Sequence, residues 1–163
     1  MVQKILIFNL TLVIFLSLFF NNIAKGEELI EGIGKVIDGD TIHIGSFKIR
    51  LHGIDAPELN QKCKTNKIEW YCGIESSKFL KNMINQKNIY CKTKGKDKYR
   101  RYIGVCYILK KNINKTIVRE GWAIAYKFYS RDYENDENFA KKNKKGIWNS
   151  AFIEPYLFRK KNN

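Results

Sequence analysis

Short runs of alternating apolar residues, separated by turns that contain glycine, occupy the chain from Leu29 to Ile54. In the runs Ile42–Ile44 and Phe47–Leu51 every second side chain is apolar, which is the period of a β-strand with one buried face. Gly39-Asp40 and Gly45-Ser46 lie at the ends of these runs and are typical of tight turns. The segment therefore predicts three strands that follow one another as a meander.

The hydrophobic pattern changes after this meander. Ala56-Pro57 ends it, because proline has no N–H to donate to a continuing ladder. Apolar residues then recur at helical spacing in the segment 74–85, where Ser76 is expected to face solvent. Gly121 and Gly146 stand where a left-handed C-terminal cap closes a helix. The predicted elements after the meander are a loop at 59–71, a helix at 74–85, a hairpin of strands 88–93 and 102–109, and helices at 114–120 and 133–145.

The order of these elements indicates the fold class. Three strands, a helix, two strands and two helices suit an α+β, mainly β domain, built as a five-stranded OB-type Greek-key barrel with three helices. Such a barrel closes its sheet edges and offers one face to oligonucleotides. No internal repeat interrupts the pattern.

The N-terminus has the layout of a secretory signal. A lysine in Met1–Lys4 precedes the apolar run Ile5–Phe20, and the small residues Ala24 and Gly26 suit a cleavage site after Gly26. The alternative is an uncleaved anchor, although the run is shorter than the roughly 20 residues that a spanning helix needs. We expect a secreted or periplasmic protein, with a membrane as partner only if the segment stays uncleaved. The predicted organisation is a signal peptide at residues 1–26 and one domain at residues 27–163.

The charge of the chain indicates an anionic partner. The formal net charge is +14, and cleavage of the signal removes only Lys4 and Lys25. A basic surface attracts phosphate polymers and releases their counterions. A lysine-rich composition can also serve solubility alone, so the charge supports a nucleic-acid partner only together with a site. We infer no stable protein partner and expect a monomer.

Four cysteines lie in the predicted exported domain, where an even number favours disulfides. None of their spacings is that of a zinc knuckle. Three pairings are possible, and four free thiols are the alternative. If strands 88–93 and 102–109 pair with Thr93 opposite Gly104, two of the cysteines face each other across the hairpin. The favoured pairs are Cys63 with Cys72 and Cys91 with Cys106.

Acidic residues and arginines are concentrated in three short phrases: IDGDT at 37–41, RLHGIDAPE at 50–58 and DKYRR at 97–101. Carboxylates that hold a metal, another that activates water, and guanidinium groups that grip a phosphate are the groups needed to cut a phosphodiester. Hard oxygen ligands suit Ca²⁺ or Mg²⁺, and Ca²⁺ is favoured outside the cytoplasm. Each acid alone is also typical of an ordinary turn or strand end.

These phrases, followed by VREGWAIAY at 118–126 and KKGIW at 144–148, resemble in order the thermonuclease family typified by staphylococcal nuclease. The resemblance extends from Gly32 to Trp148, and the tail at 152–159 together with the cysteines resembles secreted bacterial members with disulfides. It implies a Ca²⁺-dependent nuclease that cuts DNA and RNA without reading the sugar and leaves 3′-phosphates.

The resemblance also implies roles for the matching residues. Asp40 and Asp55 would bind Ca²⁺ through their carboxylates, and Ala56 through its backbone carbonyl. Glu58 would act as general base or orient the attacking water.

The basic and aromatic residues of the same phrases would handle the phosphate. Arg50 would bridge the scissile phosphate, and Arg101 would stabilise charge at the pentacoordinate phosphorus. Tyr99 and Tyr129 would contact the terminal phosphate and stack on the base. Arg100 stands where the family has glycine, a residue that tolerates positive φ, so we expect the turn before Arg101 to be either strained or rebuilt, with Arg101 shifted if it is rebuilt.

Two alternatives from other classes remain open. The first is a catalytically inactive OB-fold module that only binds nucleic acid, and the second is a structural or membrane-surface protein. The complete set of acids argues against the first, because carboxylates beside a polyanion weaken simple binding. The second leaves the ordered motifs unexplained.

Overall fold

The computed structural model describes residues 28–162. The predicted signal peptide at 1–26 lies outside the described residues. Within 28–162, none of the helices is both long and apolar enough to cross a membrane.

Five strands form a closed barrel. In order around the barrel they are β3 (Phe47–Leu51), β2 (Thr41–Ile44), β1 (Glu28–Val36), β7 (Asn88–Lys96) and β8 (Tyr102–Ile108). A parallel pairing of β3 with β8 closes the barrel, with Ile49 opposite Tyr102 and Leu51 opposite Gly104. Inward-facing aliphatic side chains such as Ile42, Ile49 and Ile89 fill the interior. The OB-type barrel is confirmed.

The β7–β8 hairpin has the register expected from the sequence. Thr93 lies opposite Gly104, and Cys91 lies opposite Cys106, to which it is joined by a disulfide. Both cysteines are fully buried in the barrel core. The disulfide links the two strands whose connecting turn, 97–101, carries the DKYRR phrase.

The second disulfide, Cys63–Cys72, lies in the segment that was predicted to be a loop at 59–71. That prediction was incomplete, because Cys63 pairs with Trp70 and Thr65 with Ile68 in a small antiparallel hairpin. The sequence of this hairpin is mostly polar and exposed, and strands of three residues are too short to show a hydrophobic period. The short strands outside the barrel core are β4 Ile54–Asp55, β5 Cys63–Thr65, β6 Ile68–Trp70, β9 Lys111–Asn112 and β10 Ile124–Ala125.

The described residues contain four α-helices, one more than the three predicted. The additional helix, α4, carries three basic residues in its last turn and has no apolar stripe that would have revealed it. Gly121 has positive φ just after the second helix, as its sequence position predicted. The prediction that the third helix runs to 145 and is closed by Gly146 was wrong: this helix ends at Lys142, the residue with positive φ that follows it is Lys144, and Gly146 begins a 3₁₀ turn. The helices are α1 Cys72–Ile84, α2 Ile113–Arg119, α3 Glu134–Lys142 and α4 Pro155–Asn162, with a 3₁₀ turn at Gly146–Asn149.

Helix α1 packs on the barrel through Leu80 and Ile84, which are fully buried. The expectation that Ser76 faces solvent was wrong. Ser76 is completely buried, and its hydroxyl donates to the carbonyl oxygen of Trp122 at 2.6 Å. A serine is tolerated there because its hydroxyl has a partner inside the protein.

Candidate active site

Asp40 and Asp55 come from separate strands and meet beneath the barrel surface. Asp40 precedes β2, and Asp55 ends β4, which pairs with β10. The backbone N–H of Ala56 donates to Oδ2 of Asp40 at 2.8 Å, which ties the two chain segments together. The exposed fractions are 6% for Asp40 and 0% for Asp55, so both carboxylates require partners inside the protein.

Gly39 allows this close approach. A Cβ built on Gly39 would lie 2.6 Å from Cβ of Ala56 and 2.2 Å from Oγ of Ser76. Any larger residue would therefore push the 38–40 turn away from Ala56. The glycine in IDGDT is thus needed for packing between the two acidic segments.

Arg50 pairs with both buried carboxylates. Its Nη2 lies 2.7 Å from Oδ1 of Asp55, and its Nη1 pairs with Oδ1 of Asp40. Burial lowers the pKa of Arg50, although the Asp55 charge opposes this. The side chain of Arg50 is 15% exposed. It therefore balances the acids while presenting part of its guanidinium outward.

Asp38, two residues before Asp40, is a further acidic residue that the charge of Arg50 acts on. Its carboxylate accepts a hydrogen bond from the backbone N–H of Asp40 at 3.0 Å. Burial raises the pKa of Asp38, and Arg50 acts in the opposite direction.

Glu58 is held by a loop built around Gln61. The backbone N–H of Glu58 donates to Oε1 of Gln61 at 3.2 Å, and the N–H of Gln61 donates back to the carbonyl of Glu58 at 2.7 Å. A Cβ on Gly73 would lie only 1.7 Å from that carbonyl oxygen. Glu58 is therefore positioned by close contact with the start of α1, directly after Cys72.

Arg101 is held by a turn of its own. Its Nε and Nη2 both lie 2.7 Å from Oδ2 of Asp97. The other oxygen of Asp97 accepts from the backbone N–H groups of Tyr99 and Arg101, each at 2.9 Å. Arg100 lies between them with φ of +63°, a left-handed conformation that is strained for a residue with a side chain, so of the two expectations for this turn strain is the one observed.

A cavity of about 490 Å³ brings the two arginines together. Arg50 and Arg101 both line it, as do Tyr99 and Tyr129, and the charge of Arg101 contributes to the lowered pKa of Arg50. Tyr99 is 68% and Tyr129 65% exposed, so both rings are free to stack on a planar ligand. The cavity thus combines cationic walls with an aromatic rim.

The comparison with known proteins decides the family. The model of the staphylococcal nuclease homologue family matches residues 48–150, which is more than half of the chain. The chain belongs to the staphylococcal nuclease family. The resemblance inferred from the ordered motifs is confirmed, and so is the prediction of a phosphodiester-hydrolysing nuclease at the level of the family.

Relatives of this staphylococcal nuclease family member carry different names. An uncharacterized endonuclease of Haemophilus influenzae is 38% identical over 134 residues, covering 77% of this chain and 70% of that protein. The succinoglycan biosynthesis protein ExoI of Rhizobium meliloti is 32% identical over 136 residues, covering 81% and 71%. Micrococcal nuclease of Shigella flexneri is 28% identical over 145 residues, covering 77% and 78%.

Sequence analysis missed Tyr126 and His52 as residues of the site. Both line the cavity. Burial and then the Asp55 charge raise the pKa of Tyr126. Burial and then Lys94 lower the pKa of His52. Aromatic residues of strands and loops show no sequence pattern that separates a core position from a cavity wall.

Arg159, which was not predicted as a site residue, contacts two of the acids of the site. Its Nη1 lies 2.9 Å from Oδ1 of Asp55 and 2.8 Å from Oε1 of Glu58, and its Nη2 lies 3.0 Å from Oδ2 of Asp55. Burial disfavours the charged form of Arg159 and so acts to lower its pKa. The hydrogen bonds and negative charges of Asp55 and Glu58 outweigh burial, and the pKa of Arg159 is raised. It lies 104 positions from Asp55, which no local pattern predicts.

The acidic side chains of the site are ligands of the type that a divalent cation binds. They supply only oxygen donors, as Ca²⁺ prefers, and one guanidinium nitrogen already bridges Asp55 and Glu58. A single positive group therefore reaches both carboxylates. Within residues 28–162, however, no three acidic, histidine or cysteine side chains form a ready-made metal cluster.

Proposed function

We propose that the protein is a Ca²⁺-dependent, sugar-nonspecific nuclease that hydrolyses DNA and RNA to products with a 3′-phosphate. The observation that carries this proposal is the common cavity of Arg50 and Arg101 beside the buried carboxylates Asp40 and Asp55. Membership of the staphylococcal nuclease family and relatives named as nucleases support it.

Two arginines on one cavity suit phosphoryl transfer. A guanidinium offers forked donors that match phosphate oxygens, and donors aimed at charge that develops in the transition state lower the barrier most. Arg50 would bridge the scissile phosphate, and Arg101 would stabilise the charge at the pentacoordinate phosphorus. Asp97 and Asp55 orient the two guanidinium groups in advance.

Glu58 is proposed to take the proton of the attacking water or to orient that water. The water oxygen bonds to phosphorus, the bond from phosphorus to the 5′ oxygen breaks, and the departing oxygen gains a proton. The products are a 3′-phosphate and a 5′-hydroxyl. Glu58 is suited to this role because its backbone is fixed by Gln61 and Gly73, while its side chain is 34% exposed.

Asp40, Asp55 and the backbone carbonyl of Ala56 are the proposed calcium ligands. When bound, the cation would polarise a phosphoryl oxygen and neutralise charge. The chain's own residues set its position, because Arg50 and the N–H of Ala56 hold the two carboxylates close together.

Both nucleic acids are proposed substrates because the site offers contacts to phosphates and base faces. Neither kind of contact depends on the 2′ position of the sugar. Tyr99 and Tyr129 are the proposed stacking residues, and their exposed rings favour unpaired bases.

The export signal at 1–26, the domain at 27–163 and a secreted or periplasmic location form part of the same proposal. Two buried disulfides support it, since such bonds persist in oxidising compartments. An N-terminus at Glu27, measured on the mature protein by mass spectrometry, is the expected result. A full-length mass in a membrane fraction would instead indicate an anchor.

The enzyme test uses protein that has been exported with its disulfides formed. Cleavage of labelled single-stranded DNA and RNA is followed with Ca²⁺ and with chelator, and the product ends are tested for removal of a 3′-phosphate by phosphatase. Glu58→Gln should reduce cleavage by about 10²-fold or more. Glu69→Gln is the matched control, because Glu69 is exposed and pairs only with Lys62. Binding of DNA without calcium-dependent cleavage would instead favour an inactive binding module.

A further inference from the structure

The C-terminal helix α4 reaches the acidic cluster through one residue. Arg159 forms a two-pronged pair with Asp55 and a further hydrogen bond with Glu58. The carboxylate of Asp55 is fully buried, whereas the side chain of Arg159 is 31% exposed. The guanidinium therefore covers the acids from the solvent side.

The remaining contacts of α4 are few. Of its eight residues only Pro155 is buried, and Tyr156 and Leu157 are about half exposed. The ring of Tyr156 lies 6.4 Å from that of Tyr126, at a tilt of 39°. A helix of this length has little stability of its own in water, so the ion pairs of Arg159 contribute much of its docking.

The segment before α4 is attached more firmly. Lys64 and Ala151 exchange backbone hydrogen bonds of 2.9 Å, and Nε2 of the buried Gln61 donates to the carbonyl of Ile153 at 2.7 Å. The chain is thus fixed up to Ile153, immediately ahead of the weakly packed helix. Residues 156–162 are therefore held less firmly than the segment that precedes the helix.

Charge explains why this contact competes with a cation. Oδ1 of Asp55 accepts hydrogen bonds from both Arg50 and Arg159, and Arg159 also takes an oxygen of Glu58. A divalent cation on the same oxygens would place two like-charged groups a few ångströms apart in a partly buried site, which is strongly unfavourable. Arg50 is the more buried of the two arginines, with its side chain 15% exposed against 31% for Arg159, so a cation that enters from solvent competes first with Arg159 for Asp55.

We propose that Arg159 is a built-in, displaceable occupant of the cation position, so that docking of helix α4 and binding of Ca²⁺ at Asp55 exclude each other. This inference rests on the calcium site proposed above. In the absence of the cation, Arg159 neutralises the acids and keeps them in position. The concentration of calcium at which the site fills is then set by how strongly α4 docks.

Calcium titration by calorimetry of the complete exported protein tests this competition. If the docked helix outweighs the undocked one by about ten to one, docking weakens the apparent calcium affinity about tenfold. Arg159→Gln should therefore lower the Kd for Ca²⁺ by about tenfold. Arg159→Lys should lie between it and the wild type, because an ammonium keeps the charge and loses the fork.

Lys160→Gln is the matched control. It removes the same charge from the adjacent position of the same helix, where the side chain is exposed. Its effect on the Kd should stay within about twofold, because exposed charges are screened by salt. If Arg159→Gln and Lys160→Gln gained the same affinity for Ca²⁺, the change in net charge alone would explain the gain, and the inference would be overturned.

Hydrogen exchange supplies a readout independent of cleavage. Calcium should accelerate exchange of the backbone amides of 155–162 in the wild type while leaving those of strand β8 unchanged. Arg159→Gln should show the faster exchange already in chelator. Slower exchange of α4 on adding calcium would mean that the cation and the helix bind together, which contradicts the proposal.

The two proposals fail in different ways. Calcium-dependent cleavage with the same Kd in wild type and Arg159→Gln would overturn the role of Arg159 and leave the nuclease function intact. Absence of both calcium binding and calcium-dependent cleavage from the two proteins would overturn the calcium site and, with it, this inference.

Discussion

The two arginines of the cavity are held by different regions of the molecule. Arg50 lies on a barrel strand and is fixed by two acids from other elements: Asp40, which directly precedes strand β2, and Asp55, which ends strand β4 five residues after Arg50. Arg101 lies on the hairpin turn 97–101 and is fixed by Asp97, four residues away. The same chemical group can thus be positioned by tertiary packing or by a local turn. Arg50, held by tertiary packing, and Arg101, held by a local turn, should therefore respond differently to mutation.

The largest expected effect separates activity from stability at the two positions. Arg50→Lys and Arg101→Lys should each reduce the cleavage rate by about 10²- to 10³-fold, because lysine cannot reproduce the forked donors. Arg50→Lys should also destabilise the fold by about 1–3 kcal/mol, since two buried carboxylates lose hydrogen bonds. Initial rates and denaturant unfolding measure the two effects. Equal destabilisation by the two variants would contradict the comparison.

Removal of the Cys91–Cys106 disulfide tests whether the turn of Arg101 depends on the hairpin beneath it. Replacing both cysteines with alanine should destabilise the protein by about 2–4 kcal/mol, chiefly through the larger entropy of the unfolded chain. The cleavage rate below the melting transition should change much less than for Arg101→Lys, because Asp97 still holds the turn. A rate loss as large as that of Arg101→Lys would show that the turn is not autonomous. Unfolding curves and rates at low temperature provide the measurement.

Acidic pH should loosen the locally held arginine, Arg101. Burial opposes ionisation of Asp97, but its hydrogen bonds from Arg101 outweigh this, and the pKa of Asp97 is lowered from its usual 3.8. Its stabilisation is therefore present above about pH 4 and is lost as the pH falls through the lowered pKa. Asp97→Asn should cost about 1 kcal/mol near neutral pH, and this difference from the wild type should shrink below about pH 4. Unfolding measured from pH 2 to 7 checks this. A difference that is constant across this range would exclude Asp97 as the titrating group.

The smallest effect concerns the backbone at Arg100. Its φ of +63° is costly for a residue with a side chain, whereas glycine adopts it freely but has a larger unfolded-state entropy. Arg100→Gly should therefore stabilise the protein by up to about 1 kcal/mol without lowering the cleavage rate. Arg100→Ala is the control, because it removes the charge and keeps the strain. Stabilisation by alanine as large as that by glycine would assign the effect to charge.

The locally determined parts of the molecule were predictable. The Cys91–Cys106 register followed from two strand patterns and a short turn. The glycine that Arg100 replaces in the family motif indicated a turn that is either strained or rebuilt, and its φ of +63° is the strained form. Ser76 was misjudged because its burial depends on a partner, the carbonyl of Trp122, that lies 46 positions away in sequence. Helix α4 was missed because its stability depends on docking rather than on an apolar face.

The sequence by itself determined the strand periods, the helix end at Gly121, the disulfide register and the family motifs, because each depends on neighbouring residues or on spacing within one element. Only the tertiary structure decided that Arg50 bridges Asp40 and Asp55, that Arg101 lines the same cavity, and that Arg159 covers Asp55. These contacts join segments up to 104 residues apart. Their formation depends on barrel closure and on the requirement that buried charges find partners, neither of which leaves a local pattern in the chain.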